Sequence, residues 1–295
     1  MNISLDCIPC IASNFLKLLK TGIISEDARE PAMRRLLMLL SETDYQQSPP
    51  VLGREIHRMI RQALNNPDPY REIKNKFNLM ILDMYSDLKQ MVITAKDPFD
   101  TAMRLALAGN VIDFGSQYQL DVLETINRVI NSHLAIDDSK KLKEDLESAK
   151  CLLYIGDNCG EIVLDKLFIE QIKVANIYFA VRSGPVINDI TIDDALMAGM
   201  DKIAKIITTG DNAPGAVWES TANEFKHVFK NADVIISKGQ GNLEGLIDVP
   251  GNLYFLFVSK CDLIARQVGA GMGDFIVKQS SKRIEQKTNK SIAAD

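Results

Sequence analysis

Histidine is scarce in this chain. Only His57, His133 and His227 occur among 295 residues, too few and too scattered for a histidine-rich zinc centre. Cysteine comes as an odd five, with Cys151, Cys159 and Cys261 standing alone, which excludes a secreted disulfide framework. The one CxxC, Cys7-Ile8-Pro9-Cys10, has no second such pair and no histidine cluster near it, so a structural zinc site is poorly supported. Its expected place is near a domain junction, as reduced thiols or a redox-sensitive pair. The apolar runs, such as Leu253–Val258, are strand-sized and far below the roughly 20 residues of a membrane span. The first residues, Met1-Asn2-Ile3-Ser4-Leu5-Asp6, lack the charged and apolar regions of a secretory signal, and a cytoplasmic location is expected. The net charge is −5 and no basic stripe runs through the sequence, so nucleic acid is not an expected partner. The fractions that remain, 46% hydrophobic and 25% charged, are those of a globular protein. Its length suffices for one large domain or two ordinary ones.

The pattern of apolar residues changes along the chain. Ile11–Leu19, Met33–Leu40, Leu52–Leu64 and Tyr70–Met91 carry apolar residues three and four apart, and the same spacing follows Asp97 over Pro98–Leu107. This periodicity predicts helices, separated by Pro49-Pro50 and by Asn65-Asn66-Pro67-Asp68-Pro69. No strand is expected before about residue 150. From there, short apolar runs at Cys151–Ile155, Ile177–Val181, Ile203–Thr208, Val234–Ser237 and Leu253–Val258 alternate with helix-like stretches at Glu161–Ile172, Asp193–Ala198 and Ala216–Phe229. Strands without polar alternation, interleaved with helices, predict a mostly parallel sheet covered on both faces. The expected architecture is α/β: an all-helical domain over residues 1–145, then a Rossmann-like three-layer domain over residues 146–295. The boundary falls in the Lys- and Glu-rich stretch Asp137–Lys150. The polar tail from Lys282 onward reads as a fraying helix.

In open α/β sheets, ligands gather at the carboxyl ends of the strands. The expected strands here end in short polar side chains, most of them with glycine as well. Asp157, Asn158 and Asp189 are oxygen donors with no histidine nearby, a set suited to a hard divalent cation. The competing reading is that Asp157 and Asn158 cap the helix beginning near Gly160. Lys238-Gly239-Gln240-Gly241-Asn242 has the makings of a phosphate cradle, since glycines let backbone N–H groups approach an anion and lysine adds charge; a plain glycine-rich turn is the alternative. Gly239, Gly241 and Gly245 only approximate a dinucleotide fingerprint, with the third glycine one residue late. Arg182, leaving a strand, suits either phosphate or a structural pairing. The glycines of Ala108-Gly109-Asn110-Val111-Ile112-Asp113-Phe114-Gly115 interrupt a helical pattern, which either turns polar groups to the cleft or ends the helix.

Together, Gly156-Asp157-Asn158-Cys159-Gly160-Glu161, Asn188-Asp189-Ile190-Thr191 and Lys238–Asn242 resemble the signature segments of the metal-dependent damage-control phosphatases, once a domain family of unknown function. Cys7–Cys10 and Gly109-Asn110-Val111-Ile112-Asp113 resemble its prokaryotic and archaeal subfamily I. The likeness spans nearly the whole chain in order. It implies that Asp157, Asn158 and Asp189 are metal ligands, that Glu161 is an acid beside the metal, and that Gly239 to Asn242 and Lys260 hold a phosphorylated substrate. The implied cofactor is a divalent metal, Mn²⁺, Mg²⁺, Ni²⁺ or Co²⁺. The implied substrates are sugar phosphates, damaged nucleotides or related metabolites. One departure stands out: other branches carry an arginine-threonine-x-lysine motif where this chain has Val258-Ser259 before Lys260, which puts the substrate lessons of those branches in doubt for this chain.

The expected chemistry is phosphoester hydrolysis. The metal would polarise a phosphoryl oxygen and orient water, while Lys238, Lys260 and the backbone of Gly239–Asn242 offset charge on the phosphoryl oxygens. Glu161 would hold water or act as a base. Attack by Asp157 itself ranks second, because a ligand facing the cation is poorly placed as a nucleophile. An S-adenosylmethionine-dependent carboxyl methyltransferase, an activity attributed to a relative of this family, is a rival, but the loop Gly156–Gly160 has the wrong glycine spacing. A non-enzymatic nucleotide- or metabolite-binding module is the other rival, separable only by turnover.

Overall fold

The computed structural model describes residues 1–282, apart from residues 21, 23 and 112–121. Ile112 and Asp113, the end of one resemblance segment, and the tail beyond Lys282 therefore lie outside the described residues. The first half is helical: α1 (Cys7–Leu19), α2 (Glu26–Ser41), α3 (Pro49–Leu64), α4 (Arg71–Asp83), α5 (Tyr85–Thr94), α6 (Pro98–Gly109) and α7 (Val122–Ile130). Strands and helices then alternate as β1 (Leu134–Asp137), α8 (Ser139–Ser148), β2 (Cys151–Ile155), α9 (Glu161–Ile169), β3 (Asn176–Val181), α10 (Ile192–Met197), β4 (Lys205–Thr208), α11 (Asn223–Asn231), β5 (Val234–Lys238), α12 (Gln240–Leu246), β6 (Leu253–Val258), α13 (Asp262–Val268) and β7 (Phe275–Gln279).

Local chemistry sets several of these limits. Pro49 and Pro50 occupy the first turn of α3, where a missing N–H costs nothing, and Asn65 ends that helix in the left-handed region at φ 47°. Asp97 caps α6 by accepting a hydrogen bond from the Asp100 N–H at 3.1 Å, a contact worth about 1 kcal/mol. The single helix expected over Tyr70–Met91 is instead two, α4 and α5, parted at Met84. The helix expected from Ala216 begins only at Asn223, after a short 3-10 turn at Trp218–Ser220.

The seven strands lie in the order β1-β7-β6-β5-β2-β3-β4. Every neighbouring pair is parallel except β6 and β7. Alternate residues of β2 serve two cores. Leu152 and Tyr154 join α4–α9 on one face, whereas Leu153 and Ile155 join α11–α13 on the other. Burial on both faces explains the unbroken apolar runs.

Two expectations are corrected here. β1 precedes residue 150 and pairs with β7, so the sheet begins ahead of the anticipated boundary and α8 belongs to it. The helices also divide by core: α1–α3 have their own, while α4–α7 pack directly on the sheet. A helix with one apolar face must bury it, and α4–α7 bury theirs against α9 and the strands. From its separate unit, α3 reaches over the strand ends. Arg54 pairs with Asp211 at 2.6 Å, and Arg61 donates to the Pro185 carbonyl at 2.7 Å. No helix among the described residues is long and apolar enough to cross a membrane.

Candidate active site

The chain winds from β2 toward β4 in one direction and from β5 toward β6 in the other, so β2 and β5 flank the point where the sheet order reverses. The crevice beyond such a point is where open α/β sheets hold ligands. The segment after β2 and the segment before α10 are stitched together there. Asn158 and Asp189 form an isolated antiparallel bridge. The Cys159 N–H donates to the Asn188 carbonyl at 2.8 Å, and the Ile190 N–H to the Asp157 carbonyl at 3.0 Å. Two stretches 30 residues apart in sequence thereby deliver Asp157, Asn158 and Asp189 to one place.

The side chains form a dense polar knot. Asn158 Nδ2 donates to Asp157 Oδ2 at 2.7 Å and to Glu161 Oε2 at 3.0 Å. Asn110, just past the end of α6, donates to the same two oxygens at 3.1 and 3.3 Å and accepts from the Val258 N–H. Arg182, 1% exposed, donates through Nε to Asp189 Oδ2 at 2.7 Å and through Nη2 to Asn242 Oδ1 at 3.0 Å. Its Nη2 also lies 3.7 Å from Asp157 Oδ1. Burial pushes the Asp157 carboxyl up to about 8, reinforced by the charges of Glu161 and Asp189 and opposed by Arg182 and Lys260. Burial likewise raises Asp189, against the pull of Arg182.

Neither Asp157 nor Asn158 serves as a helix cap. α9 begins at Glu161 with Gly160 in the cap position and no side-chain cap, and the Gly160 N–H is met instead by Asn78 Oδ1 at 2.6 Å. The capping alternative to a cation site therefore lacks its contacts.

The anticipated phosphate loop is more divided. Gly239 lies against Asp157 with φ 77° and ψ 160°, and its N–H donates to the Leu256 carbonyl. The Gln240 side chain accepts from the Lys260 N–H at 2.9 Å and donates to Glu244 Oε1 at 2.8 Å. Gly241 sits in the first turn of α12, whose N–H groups have no partner within the helix. Lys260 is exposed and close enough for its charge to pull Asp157 downward. Two members are committed elsewhere. Asn242 donates to the Gly156 and Lys238 carbonyls at 3.1 and 2.6 Å. Lys238 is wholly buried, giving hydrogen bonds to the Ala106 carbonyl, Glu161 and Asp165. The expectation that Lys238 offsets charge on a bound phosphate is corrected by that burial: its strand position turns it inward, onto α6 and α9. Cys7 and Cys10 open α1 as free thiols, Cys7 half-buried and Cys10 exposed.

Asn110 and Arg182 belong to this knot beyond the set anticipated for it. The glycine-broken helix end at Gly109 was the signal for Asn110, and the position after β3 was the signal for Arg182.

The donor set suits a hard divalent cation. Oxygen supplies every donor, from two aspartates, an asparagine and the adjoining Glu161. Three carboxylates converge where Arg182 is the nearest buried cation facing Asp157 and Asp189. Among the described residues, no three His, Cys, Asp or Glu side chains form a ready-made metal cage. N–H donors of Asn110, Asn158 and Arg182 stand between the acids instead. The oxygen and nitrogen of an amide are nearly interchangeable in position, so a half-turn of Asn158 would present its oxygen to an ion.

Comparison with known proteins finds relatives over nearly the whole chain. Residues 3–276 match the Damage-control phosphatase ARMT1-like domain. The damage-control phosphatase PH1575 of Pyrococcus horikoshii is 33% identical, the alignment covering 96% of this chain and 100% of that protein. The crystal structure of a DUF89 family protein from the same organism superposes with a TM-score of 0.86, covering 95% of this chain and 99% of that one. The 4'-phosphopantetheine phosphatase of Mus musculus is 26% identical over a more limited region, 51% of this chain and 22% of its own length.

Proposed function

The chain belongs to the damage-control phosphatase family with the ARMT1-like domain, and from that premise we propose that it hydrolyses small phosphorylated metabolites with the help of a divalent metal. The observation that carries this reading is the meeting of Asp157, Asn158, Asp189 and Glu161 at the switch point of the sheet. Asp157, Asn158 and Asp189 would hold the metal, with Mn²⁺, Mg²⁺, Ni²⁺ and Co²⁺ as the cations to test. A bound divalent cation supplies Lewis acidity toward a phosphoryl oxygen.

The rest is done by the chain. The first-turn N–H groups at Gln240 and Gly241 and the Lys260 ammonium receive phosphoryl oxygens. Arg182 keeps Asp189 and Asp157 in register, and its Nη1, buried with no partner among the described residues, adds a further donor at the site. Glu161 Oε2, which now accepts from Asn110 and Asn158, orients the attacking water. The family match favours phosphatase chemistry over carboxyl methylation or simple binding. Its substrates are sought among sugar phosphates, damaged nucleotides and phosphopantetheine-like esters.

Phosphate release from such a panel, with each cation in turn, tests this. Turnover of at least one class, dependent on added cation, is expected. Tight binding of metabolites with no phosphate released under any cation would leave only a binding module.

A further inference from the structure

Lys238 stands at the end of β5, followed by glycine, which is where a phosphate-binding lysine is usually sought. Its surroundings leave it no such task. The side chain has no solvent exposure. A lysine ammonium has three N–H donors and no acceptor. They go to the Ala106 carbonyl at 2.9 Å, Glu161 Oε1 at 2.5 Å and Asp165 Oδ1 at 2.7 Å. Burial would pull this ammonium down, but Asp165 and Glu161 together push it up to about 12. The cation is saturated inside the protein.

Its partners show what it holds. Glu161 and Asp165 lie four residues apart on α9, on one face of the helix. Asp165 leads away from the site, accepting also from the Tyr154 hydroxyl at 2.7 Å. Glu161 leads toward it. One oxygen, Oε1, is taken by Lys238, while the other, Oε2, receives the Asn110 and Asn158 amides beside Asp157. A glutamate has three side-chain torsions, and this one is fixed at both ends.

We propose that Lys238 is a positioning residue of the phosphatase site: it anchors Glu161 through Oε1 so that Oε2 faces Asp157 and Asn158, and it does not touch the substrate. Buried ion pairs seldom add net stability, so retention of this one fits a role in geometry. The inference rests on the phosphatase reading above and deepens it.

The test is a double-mutant cycle on the cation-supplemented enzyme. Lys238→Met, Glu161→Gln and their combination are assayed on an aryl phosphate, with inorganic phosphate as product inhibitor. Lys238→Met is expected to lower kcat about 100-fold, the cost of a misplaced group in the site. KM and the phosphate inhibition constant should stay within about twofold, because uniform binding is untouched. The combined variant should be no slower than Glu161→Gln alone, since both changes remove one coupled unit. Asp165→Asn, which loses the other side of the ion network, should keep kcat within about threefold while melting earlier.

If Lys238→Met fails to fold, Lys238→Met/Asp165→Asn, read against Asp165→Asn, carries the same comparison with one fewer buried charge. A rise of about tenfold or more in the phosphate inhibition constant with kcat intact, or losses that multiply in the combined variant, overturns the assignment while the phosphatase reading stands. A wild-type protein that releases no phosphate with any divalent cation overturns both.

Discussion

Gly239→Ala is the sharpest probe of how the site is built. A Cβ at this position would lie 2.0 Å from Asp157 Oδ2 and 2.4 Å from its Cγ, where ordinary contact begins near 3.4 Å. The loop and the carboxylate must therefore separate by about 1.4 Å. The backbone, at φ 77° and ψ 160°, is in a region open essentially to glycine, so alanine adds about 1–3 kcal/mol of strain. A 1 Å misplacement of a catalytic group costs about 100-fold, or about 2.7 kcal/mol of transition-state stabilisation. Gly239→Ala should thus lower kcat/KM by about 100-fold or more in protein that remains folded at the assay temperature. Gly269→Ala is the control. It too has a left-handed backbone, φ 84°, but nothing lies within 4 Å of its added Cβ. It should melt earlier by about 1–2 kcal/mol of strain and keep its kcat/KM. Steady-state kinetics beside thermal melts read both. Full activity in Gly239→Ala would refute the close packing of the loop on Asp157, and equal activity losses in both variants would reduce the effect to backbone strain.

Lys260→Met should lower kcat/KM for phosphate esters about 10- to 100-fold, the loss of one charge-assisted hydrogen bond of about 1.5–3 kcal/mol, with metal affinity nearly unchanged. An equilibrium metal titration that weakens in step with the kinetics would show that Lys260 serves the metal site instead. Glu244 gives a pH signature separate from catalysis. Half-buried beside Gln240, it is pushed by burial from 4.5 up to about 7. The folded state then binds the proton more tightly than the unfolded one, so its contribution to stability is full below pH 4.5 and is lost as pH rises through about 7. Denaturant midpoints across that window should fall more steeply with pH in the wild type than in Glu244→Gln, and parallel curves would remove Glu244 from the account.

Much of this was legible because strands in a doubly covered sheet are apolar throughout. Cys151–Ile155 and Leu253–Val258 emerge with the limits expected of them, and their ends bring Asp157, Asn158 and Asp189 into view. What stayed hidden depends on partners far away in sequence. β1 is four residues long with one buried side chain, and it is a strand only because β7 lies beside it, about 140 residues on. β7 follows the glycine-rich run Gly269–Gly273 and pairs antiparallel to β6, unlike the parallel strands of the rest of the sheet. Lys238 shows the limit most plainly. A lysine before glycine at a strand end suggests phosphate, yet all five residues of β5 are buried. Only the packing of α9 against that face reveals Glu161 and Asp165 as its partners. Asn110 was within reach, since a helix stopping at Gly109 must turn its next side chain somewhere.

The central claim is that the oxygen cluster binds a divalent cation on which phosphate release depends. Chelator-stripped protein, assayed on an aryl phosphate as Mn²⁺ or Mg²⁺ is added back, tests it most directly when Asp189→Asn is titrated in parallel. The expected result is no phosphate release from the stripped wild type, recovery that saturates with added cation, and an Asp189→Asn variant that stays folded yet neither recovers nor binds the ion with comparable affinity. Full activity in excess chelator, or an Asp189→Asn variant that recovers like the wild type, would contradict the account.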